Sequence, residues 1–279
     1  MSVSGQVTWP PESPVWSFNW QMLDGDTEGL VFRNAFFKGR KVLHKGSLPM
    51  ILVRYDHGAG PFKDQLSTGN APNPVLVHEG SGSGFRFIAV ECYHRISAYR
   101  IIERWIFWND GLIQPRLLSR GIFYPSSHQH NVYWRLDFDV DGVANNLALQ
   151  HTYVATDWGY GKGWKPLTIE QDTDGVGDGT YAVLNKQTNR GYKLVSGPSD
   201  GAPDYISPHS FAVVRFRADE DLKGRLGTPH DPELWKHINH ENVDGQDVVA
   251  WYIAHLKHSG SDSGDEYHAC GPDLWPIRY

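Results

Sequence analysis

The sequence predicts an all-β protein that folds as one large antiparallel β-sandwich. Strand-forming aromatic residues are frequent, with 11 Trp, 13 Tyr and 12 Phe among 279 residues. The 29 Gly and 17 Pro interrupt the chain at short intervals, as turn residues do between strands. No internal repeat or heptad pattern is visible. We therefore expect many strands and scarcely any helix.

Strand-like runs follow one another along most of the chain. Turn residues at 38–41 separate two such runs and predict a hairpin, and Asn109-Asp110-Gly111 predicts another turn. Gly, Ser, Pro and Asn residues predict loops at 64–84 and 157–180, and a short helix is expected at 232–239. The predicted strands are 30–37, 42–44, 49–55, 85–93, 99–108, 112–123, 129–141, 181–195, 210–217 and 247–256.

The same patterns divide the chain into a central domain and two flanking segments. Residues 1–28 are expected to form an extended arm or edge, because proline and tryptophan crowd the first 20 residues and disfavour a helix. Residues 29–260 are expected to form the β-sandwich. The Ser-, Gly- and Asp-rich residues 261–279 are expected to form a tail.

Composition excludes several classes of partner. The net charge is −6 and no basic cluster could follow a phosphate backbone, so we expect no nucleic acid. No apolar run reaches about 18 residues, and the first 14 residues lack the features of a signal peptide, which predicts a cytoplasmic protein without a membrane span. In that setting Cys92 and Cys270 are expected to be free thiols, although a disulfide between them stays open.

One predicted strand carries both nitrogen and oxygen ligands. His128 and His130 are two residues apart and point to the same face of a strand, whereas Asp137 and Asp139 occupy the other face. Imidazoles suit copper, zinc, iron or nickel, and carboxylates suit calcium or manganese. Two ordinary strand histidines are the alternative, and a third ligand is needed elsewhere.

The third ligand comes with a family resemblance. Residues 128–142 match H-Q-H-x-x-x-x-R-L-D-x-D-V-D-G and residues 247–252 match D-x-V-x-W-Y, and both motifs resemble the catalytic domain of the copper-containing, quinone-dependent amine oxidases. The resemblance covers about residues 29–258 and implies the fold of that domain, a large β-sandwich (supersandwich). It also implies that His128, His130 and His258 bind Cu(II). His255 is the competing candidate for the third position.

The resemblance implies a second, peripheral cation site. In the family this site binds calcium or manganese through two Asp residues after R-L and one Asp eleven residues before the third histidine. Those positions are Asp137, Asp139 and Asp247, with the carbonyl groups of Phe138 and Val248 as further ligands. Solvated or salt-bridged carboxylates are the alternative.

The redox cofactor of the family is topaquinone, which forms from a tyrosine six residues before a tryptophan. Tyr99 stands six residues before Trp105 and is the matching position. Its neighbours depart from the family motif N-Y-[D/E]-Y, because Ala98, Arg100 and Ile101 replace the Asn, the acid and the second Tyr. Arg100 places a cation where an acid is expected, which would disfavour a protonated amine. Tyr99 is therefore either a quinone precursor or an unmodified tyrosine near copper.

Two further catalytic candidates follow from the resemblance. Tyr55 lies in a segment similar to the family motif V-P-Y-G, whose Tyr forms a hydrogen bond to the quinone. Asp64 is the best match to the family's general base, although the Gly-Glu-Tyr that follows the base in the family is absent. A base of this kind needs burial to raise its pKa, and a loop Asp without a catalytic role is the alternative.

Three functional hypotheses follow. The first is a copper-dependent oxidoreductase that oxidises a primary amine or related small molecule with O2. The second is a copper-dependent biosynthetic enzyme that works without topaquinone and uses the metal directly. The third is a non-redox cyclase or binding protein that reuses the cavity. The resemblance also implies a homodimer.

Overall fold

The computed structural model describes residues 1–173, 179–218 and 233–279, and these residues form 19 strands in two antiparallel sheets. Two short 3-10 helices, Thr68–Asn70 and Glu233–His237, complete the described elements. The all-β prediction is confirmed. The strands are β1 Val3–Trp9, β2 Trp16–Met22, β3 Val31–Phe37, β4 Arg40–Tyr55, β5 Phe62–Asp64, β6 Leu76–Gly82, β7 Phe85–Ile96, β8 Tyr99–Trp108, β9 Ile113–Arg120, β10 His128–Phe138, β11 Asn146–His151, β12 Trp164–Leu167, β13 Gln171–Asp172, β14 Tyr181–Asn185, β15 Gly191–Val195, β16 Phe211–Arg215, β17 Val248–His258, β18 His268–Cys270 and β19 Asp273–Ile277.

The first sheet has the strand order β1-β2-β3-β4-β10-β17-β16-β13, and β5 pairs with β4. Its centre is formed by β4, β10 and β17. Every residue of β10 is buried, and in β17 only Lys257 is exposed. Side chains on one face of these strands enter the core between the sheets, and those on the other face join side chains of the neighbouring β16 and pack against the 3-10 helix Glu233–His237. This burial on both faces makes β10 rigid enough to present functional side chains.

The second sheet has the order β12-β11-β14-β15-β19-β9-β8-β7-β6, and β18 pairs with β9. Aromatic residues from both sheets interlock in the core. Phe18 stacks on Phe107 with ring centroids 4.2 Å apart, and Phe32 packs against Trp105 at 4.8 Å. Gly46 is required beneath this group, since a Cβ atom there would lie 2.8 Å from the Trp105 ring.

The two chain ends belong to the sandwich rather than flanking it. Residues 1–28, predicted as an extended arm or edge, contain the β1–β2 hairpin at the edge of the first sheet, where Trp16 and Phe18 are buried. Residues 261–279, predicted as a tail, contain β19, which pairs with both β15 and β9. Leu274 of β19 is fully buried. The sandwich therefore extends beyond both predicted limits, because apolar side chains at each end complete the core.

Most predicted strands are present, and the exceptions have physical reasons. The run 99–108 coincides with β8, whereas 181–195 is divided by a turn into β14 and β15. Within the predicted loop 64–84 the structure has β6, an edge strand whose side chains are mostly exposed and therefore show no apolar alternation. The predicted loop 157–180 contains β12 and β13, and its residues 174–178 lie outside the described residues.

Three smaller expectations have outcomes. The helix predicted at 232–239 corresponds to the 3-10 helix Glu233–His237, and residue 232 lies outside the described residues. Cys92 and Cys270 are free and buried, as expected. Among the helices described, none has the length and apolar character needed to cross a membrane.

Glu103 on β8 is a fully buried acid next to the connection between β2 and β3. Its Oε2 accepts a hydrogen bond from the Leu30 backbone N–H at 2.8 Å, and its Oε1 accepts one from the Trp105 indole at 3.2 Å. Gly29 is needed at this contact, because its φ is +64° and a Cβ atom would lie 2.1 Å from Glu103 Oε2. Burial raises the pKa of Glu103 to about 8.

We predict that Glu103→Gln makes the free energy of unfolding less sensitive to pH. The folded-state pKa of Glu103 lies above that of the unfolded chain, so its contribution is fully present at low pH and is lost as pH rises toward about 8. The measurement is urea unfolding of both proteins between pH 5 and 8. Parallel stability profiles for wild type and variant would show that Glu103 does not titrate in this range.

Candidate metal centre and adjoining cavity

Three histidines meet at one end of β10. His128 lies directly opposite His258 in the antiparallel pairing of β10 with β17, and His130 follows two residues along the same face. Their ligand nitrogens all lie within 4.8 Å of one another. The rings of His128 and His258 are parallel with centroids 4.8 Å apart, and all three side chains are buried. The structure thus brings together the three residues that match the family's copper ligands.

His128 and His258 each use one ring nitrogen in a contact outside the cluster, which leaves the other ring nitrogen available. His128 Nδ1 donates to the Ser126 carbonyl at 3.2 Å, and His258 Nδ1 lies 3.4 Å from Asp262 Oδ2. Within the described residues, Nε2 of His128, Nε2 of His258 and both nitrogens of His130 have no hydrogen-bond partner. Buried polar atoms without partners are unusual and call for an explanation. Three convergent imidazoles fit copper or zinc, with the outer hydrogen bonds fixing the ring tautomers.

The electrostatics of the cluster also suit a metal ion. Burial lowers the pKa of His128, and it lowers the pKa of His258 to about 4. The pKa of His130 lies well below its usual value, mainly through burial and also through the neighbouring histidines. All three rings are therefore neutral near pH 7, which is the form that binds metals.

His255, the competing candidate, lies on the opposite face of β17. It stands three positions before His258, and side chains an odd number of positions apart point to different faces of a strand. Its Nδ1 lies 2.6 Å from Asn131 Oδ1, and its Nε2 lies 3.3 Å from Ser210 Oγ. Both nitrogens are thus engaged away from the three-histidine cluster.

Tyr55 and Tyr99 join the cluster from two different sheets. Tyr55 at the end of β4 pairs with His128 in register and stacks on its ring at 5.0 Å. Tyr99 at the start of β8 meets the ring of His130 edge-on at 5.0 Å. The two hydroxyl groups form a short hydrogen bond with each other, and burial raises the pKa of both.

A cavity of about 260 Å³ adjoins these tyrosines. It brings Tyr55 and Asp64 together with Tyr99, which comes from the other sheet. Asp64 is held there by the pairing of β5 with β4, and burial raises its pKa to about 6. Phe62 and Phe123, which are 41% and 48% exposed, also line the cavity. Its walls are therefore largely apolar, with Asp64 as an acid that titrates near neutral pH.

Arg100 does not face this cavity. It follows Tyr99 on β8 and so points to the other side of the strand, where its guanidinium binds the carbonyl groups of Ser97, Ala98 and Tyr99. The effect of this cation on a protonated amine stays a prediction. The motif predicted a neighbouring charge, but strand alternation separates that charge from the Tyr99 hydroxyl.

A second cluster of ligands lies at the other end of β10. Oxygen atoms of Asp137, Asp139 and Asp247 lie within 4.8 Å of one another, on the strand face opposite the histidines, as the spacing predicts. Lys41 Nζ lies 2.5 Å from Asp139, and Arg135 lies 3.4 Å from Asp137. Two of the three carboxylates thus form salt bridges, as expected from the alternative in which no cation is bound.

The charge of this acidic cluster is incompletely balanced. Burial raises the pKa of Asp247 to about 7, with repulsion from Asp137 and Asp139 as further causes. In the described part of the chain, one oxygen of each carboxyl group, Oδ1, has no hydrogen-bond partner. Phe138 and Val248 pair with each other beside the cluster, and the ligand role of their carbonyl groups stays a prediction.

Two residues near His258 were not identified from the sequence. Asp262 contacts both His258 and His268, with 2.8 Å between Asp262 Oδ2 and His268 Nε2. Asp262 stands four residues after His258 in a stretch that the sequence marks only as a polar tail. His268 reaches the cluster through the pairing of β18 with β9, for which the sequence carries no local signal.

Comparison with known proteins identifies the fold. No family model matches the sequence, and no curated protein matches it. The copper-containing benzylamine oxidase from Hansenula polymorpha is similar in structure, with a TM-score of 0.74 and 17% identity over 98% of this chain and 59% of that one. Amine oxidase from Aspergillus nidulans (TM-score 0.67) and lysyl oxidase from Pichia pastoris (0.69) are each 16% identical over 95% of this chain and 51% of theirs.

These likenesses extend over nearly all of this chain. The chain in turn spans between half and three fifths of the amine oxidases it matches. At this level of identity the shared feature is the architecture of two large sheets, and function has to be argued from the site itself.

Proposed function

We propose that the protein is a copper-dependent oxidoreductase that oxidises a primary amine with O2. The observation that carries the proposal is the convergence of three buried, neutral imidazoles, whose inward nitrogens have no partner in the described residues, beside Tyr99. A protein that bound no metal would gain nothing from burying these nitrogens unpaired. His128, His130 and His258 would hold the copper ion.

Copper in such a site supplies redox and Lewis-acid chemistry. The overall reaction converts the amine, O2 and water into an aldehyde, ammonia and hydrogen peroxide. The chain itself supplies a largely apolar cavity, which would hold the carbon skeleton of the substrate. The partners are thus a small molecule and O2, and the homodimer implied by the resemblance stays a prediction.

Tyr99 is the proposed precursor of topaquinone. Its ring contacts the metal cluster through His130, and it lines the cavity where substrate would enter. Tyr55 holds the Tyr99 hydroxyl and is in turn fixed by stacking on His128. Tyr55 therefore acts as a positioning residue for the Tyr99 ring.

Asp64 is the proposed general base. It lines the same cavity as Tyr99, and its pKa of about 6 makes it an available base at neutral pH. Its role is to take a proton from the bound substrate during oxidation. The apolar neighbours that raise its pKa also favour proton transfer to it.

A copper enzyme with an unmodified Tyr99 is the second candidate. The observation that favours it is the hydrogen bond between the Tyr55 and Tyr99 hydroxyl groups, which satisfies Tyr99 in its unmodified form. The residues around Tyr99 also differ from the quinone motif, and Ile101 points into the core. In this case copper acts on the substrate directly.

We further propose a calcium or manganese ion at Asp137, Asp139 and Asp247. The proposal is supported by the raised pKa values of Asp137 and Asp247 and by the unpartnered oxygens among these described carboxyl groups. A hard divalent cation prefers such ligands and would relieve their mutual repulsion.

The first test is metal and spectral analysis of protein purified with copper under air. We expect one copper ion per chain and a visible chromophore that reacts with phenylhydrazine and is absent in Tyr99→Phe. His258→Gln should lose the copper, whereas the matched control His255→Gln on the same strand should keep it. Copper without the chromophore would favour the second candidate, and a wild type without stoichiometric copper would refute both.

The second test concerns Asp64. Because the carboxylate is the active base, kcat/KM should fall as pH drops below about 6, which gives the pH profile an acidic limb. Asp64→Asn should lower kcat/KM by about 10²- to 10⁴-fold and should remove this acidic limb. Asp64→Glu serves as the control and should retain part of the activity with a titrating limb. An Asn variant that keeps the limb would exclude Asp64 as the base.

The third test concerns the peripheral cation. Added Ca²⁺ or Mn²⁺ should raise the Tm of the wild type. At an ion concentration 100 times Kd, binding adds about 2.7 kcal/mol to the free energy of unfolding. Asp247→Asn should reduce the effect. Asp244→Asn is a suitable control because Asp244 lies nearby and pairs with Lys186. If neither ion raises the Tm, the carboxylates are balanced by Lys41 and Arg135 alone.

A further inference from the structure

Behind the three-histidine cluster lies a second group of metal-binding side chains, formed by His258, Asp262 and His268. Their ligand atoms lie within 4.8 Å of one another. Asp262 Oδ2 is 2.8 Å from His268 Nε2 and 3.4 Å from His258 Nδ1. Ligands of a tetrahedral zinc ion with bonds of 2.0–2.1 Å are separated by about 3.3 Å. The 3.4 Å spacing of His258 from the carboxylate is close to this value, whereas the 2.8 Å spacing of His268 is that of a hydrogen bond and would lengthen when an ion binds.

His258 belongs to both groups. Its Nδ1 faces Asp262, which leaves Nε2, buried and without a partner in the described chain, as the nitrogen available to an ion at His128 and His130. An imidazole that has lost its N–H proton can bind one metal ion through each nitrogen. The two groups are thus joined by a single ring.

The local structure holds the other two ligands in place. Asp262 lies in the turn after β17, where its Oδ1 accepts a hydrogen bond from the Gly264 N–H at 3.1 Å and leaves Oδ2 for the histidines. His268 begins β18 and is fixed by pairing with Ser119 of β9. The three ligands therefore come from a strand end, a turn and a neighbouring strand.

The group is also open to solvent on one side. The side chains of Asp262 and His268 are 11% and 35% exposed, whereas that of His258 is 1% exposed. Asp262 and His268 therefore border the solvent, although the ligand atom His268 Nε2 is itself buried. Two imidazoles and one carboxylate, with water in the fourth position, form a ligand set that suits zinc.

We propose that His258 Nδ1, Asp262 and His268 form a second metal site for a zinc-type divalent cation, bridged by His258 to the three-histidine cluster. With an ion at this site alone, the N–H proton of His258 would reside on Nε2 and the ring would stay neutral; with ions at both sites, that proton would be released to solvent. No oxidation or reduction is involved. The site does not require that copper occupy the three-histidine cluster.

The test is the number of zinc ions retained per chain after equilibrium dialysis with Zn²⁺, in the presence of excess Ca²⁺ to occupy carboxylate sites. Wild type should retain one more ion than His268→Ala. The matched control His209→Ala removes another His–Asp pair, with Asp172, and should bind as many ions as wild type. Equal zinc contents in wild type and His268→Ala would overturn the proposal and leave Asp262 and His268 as residues that only orient His258.

A variant with a different metal-binding side chain at position 268 separates loss of the site from loss of folding, because it should gain a signal. His268→Cys should restore the ion, and with Co²⁺ in place of Zn²⁺ it should add a thiolate-to-cobalt charge-transfer band that wild type lacks. A folded Cys variant without this band would overturn the proposal.

The three-histidine cluster is tested separately by His128→Ala. If that cluster binds metal, His128→Ala should lose one ion and keep the one at His268. If wild type and His128→Ala each retain one ion and His268→Ala retains none, the second site stands and the proposed copper centre fails.

Discussion

The structure of the site depends on the register between β10 and β17. In this pairing His128 lies opposite His258, and Phe138 lies opposite Val248 ten residues further along. A slip of one residue would move His258 to the other face of the sheet and separate the three imidazoles. The same slip would also shift Asp247 relative to Asp137. One register therefore assembles both clusters.

That register is enforced by burial on both faces of the two strands. Inward side chains such as Trp134 and Tyr252 belong to the core between the sheets, and outward ones such as Tyr133 and Trp251 belong to a second apolar cluster on the other face of the sheet. Exchanging the two sets would place polar groups in the inner core. The free-energy cost of burying those polar groups stabilises the register. A strand fixed by packing on both faces can keep the unpaired histidine nitrogens close together.

The sequence allowed prediction of features that depend on strand period or on a long motif. The alternation along β10 placed His128 and Asp137 on opposite faces, and the spacing after Trp251 led to His258. Features that depend on non-local pairing were out of reach. His268 reaches the cluster only because β18 pairs with β9, and the two chain ends complete the core only after the sheets have formed.

Charge balance links these observations. Three neutral imidazoles contribute no negative charge, so a divalent ion bound by them keeps its full charge in a buried environment. Compensation then has to come from neighbouring groups. Asp262 supplies a carboxylate that contacts His258, and Tyr99 supplies a hydroxyl group whose pKa burial raises and a nearby cation would lower. In the proposed metal centre these two residues would supply the negative charge that its neutral ligands lack.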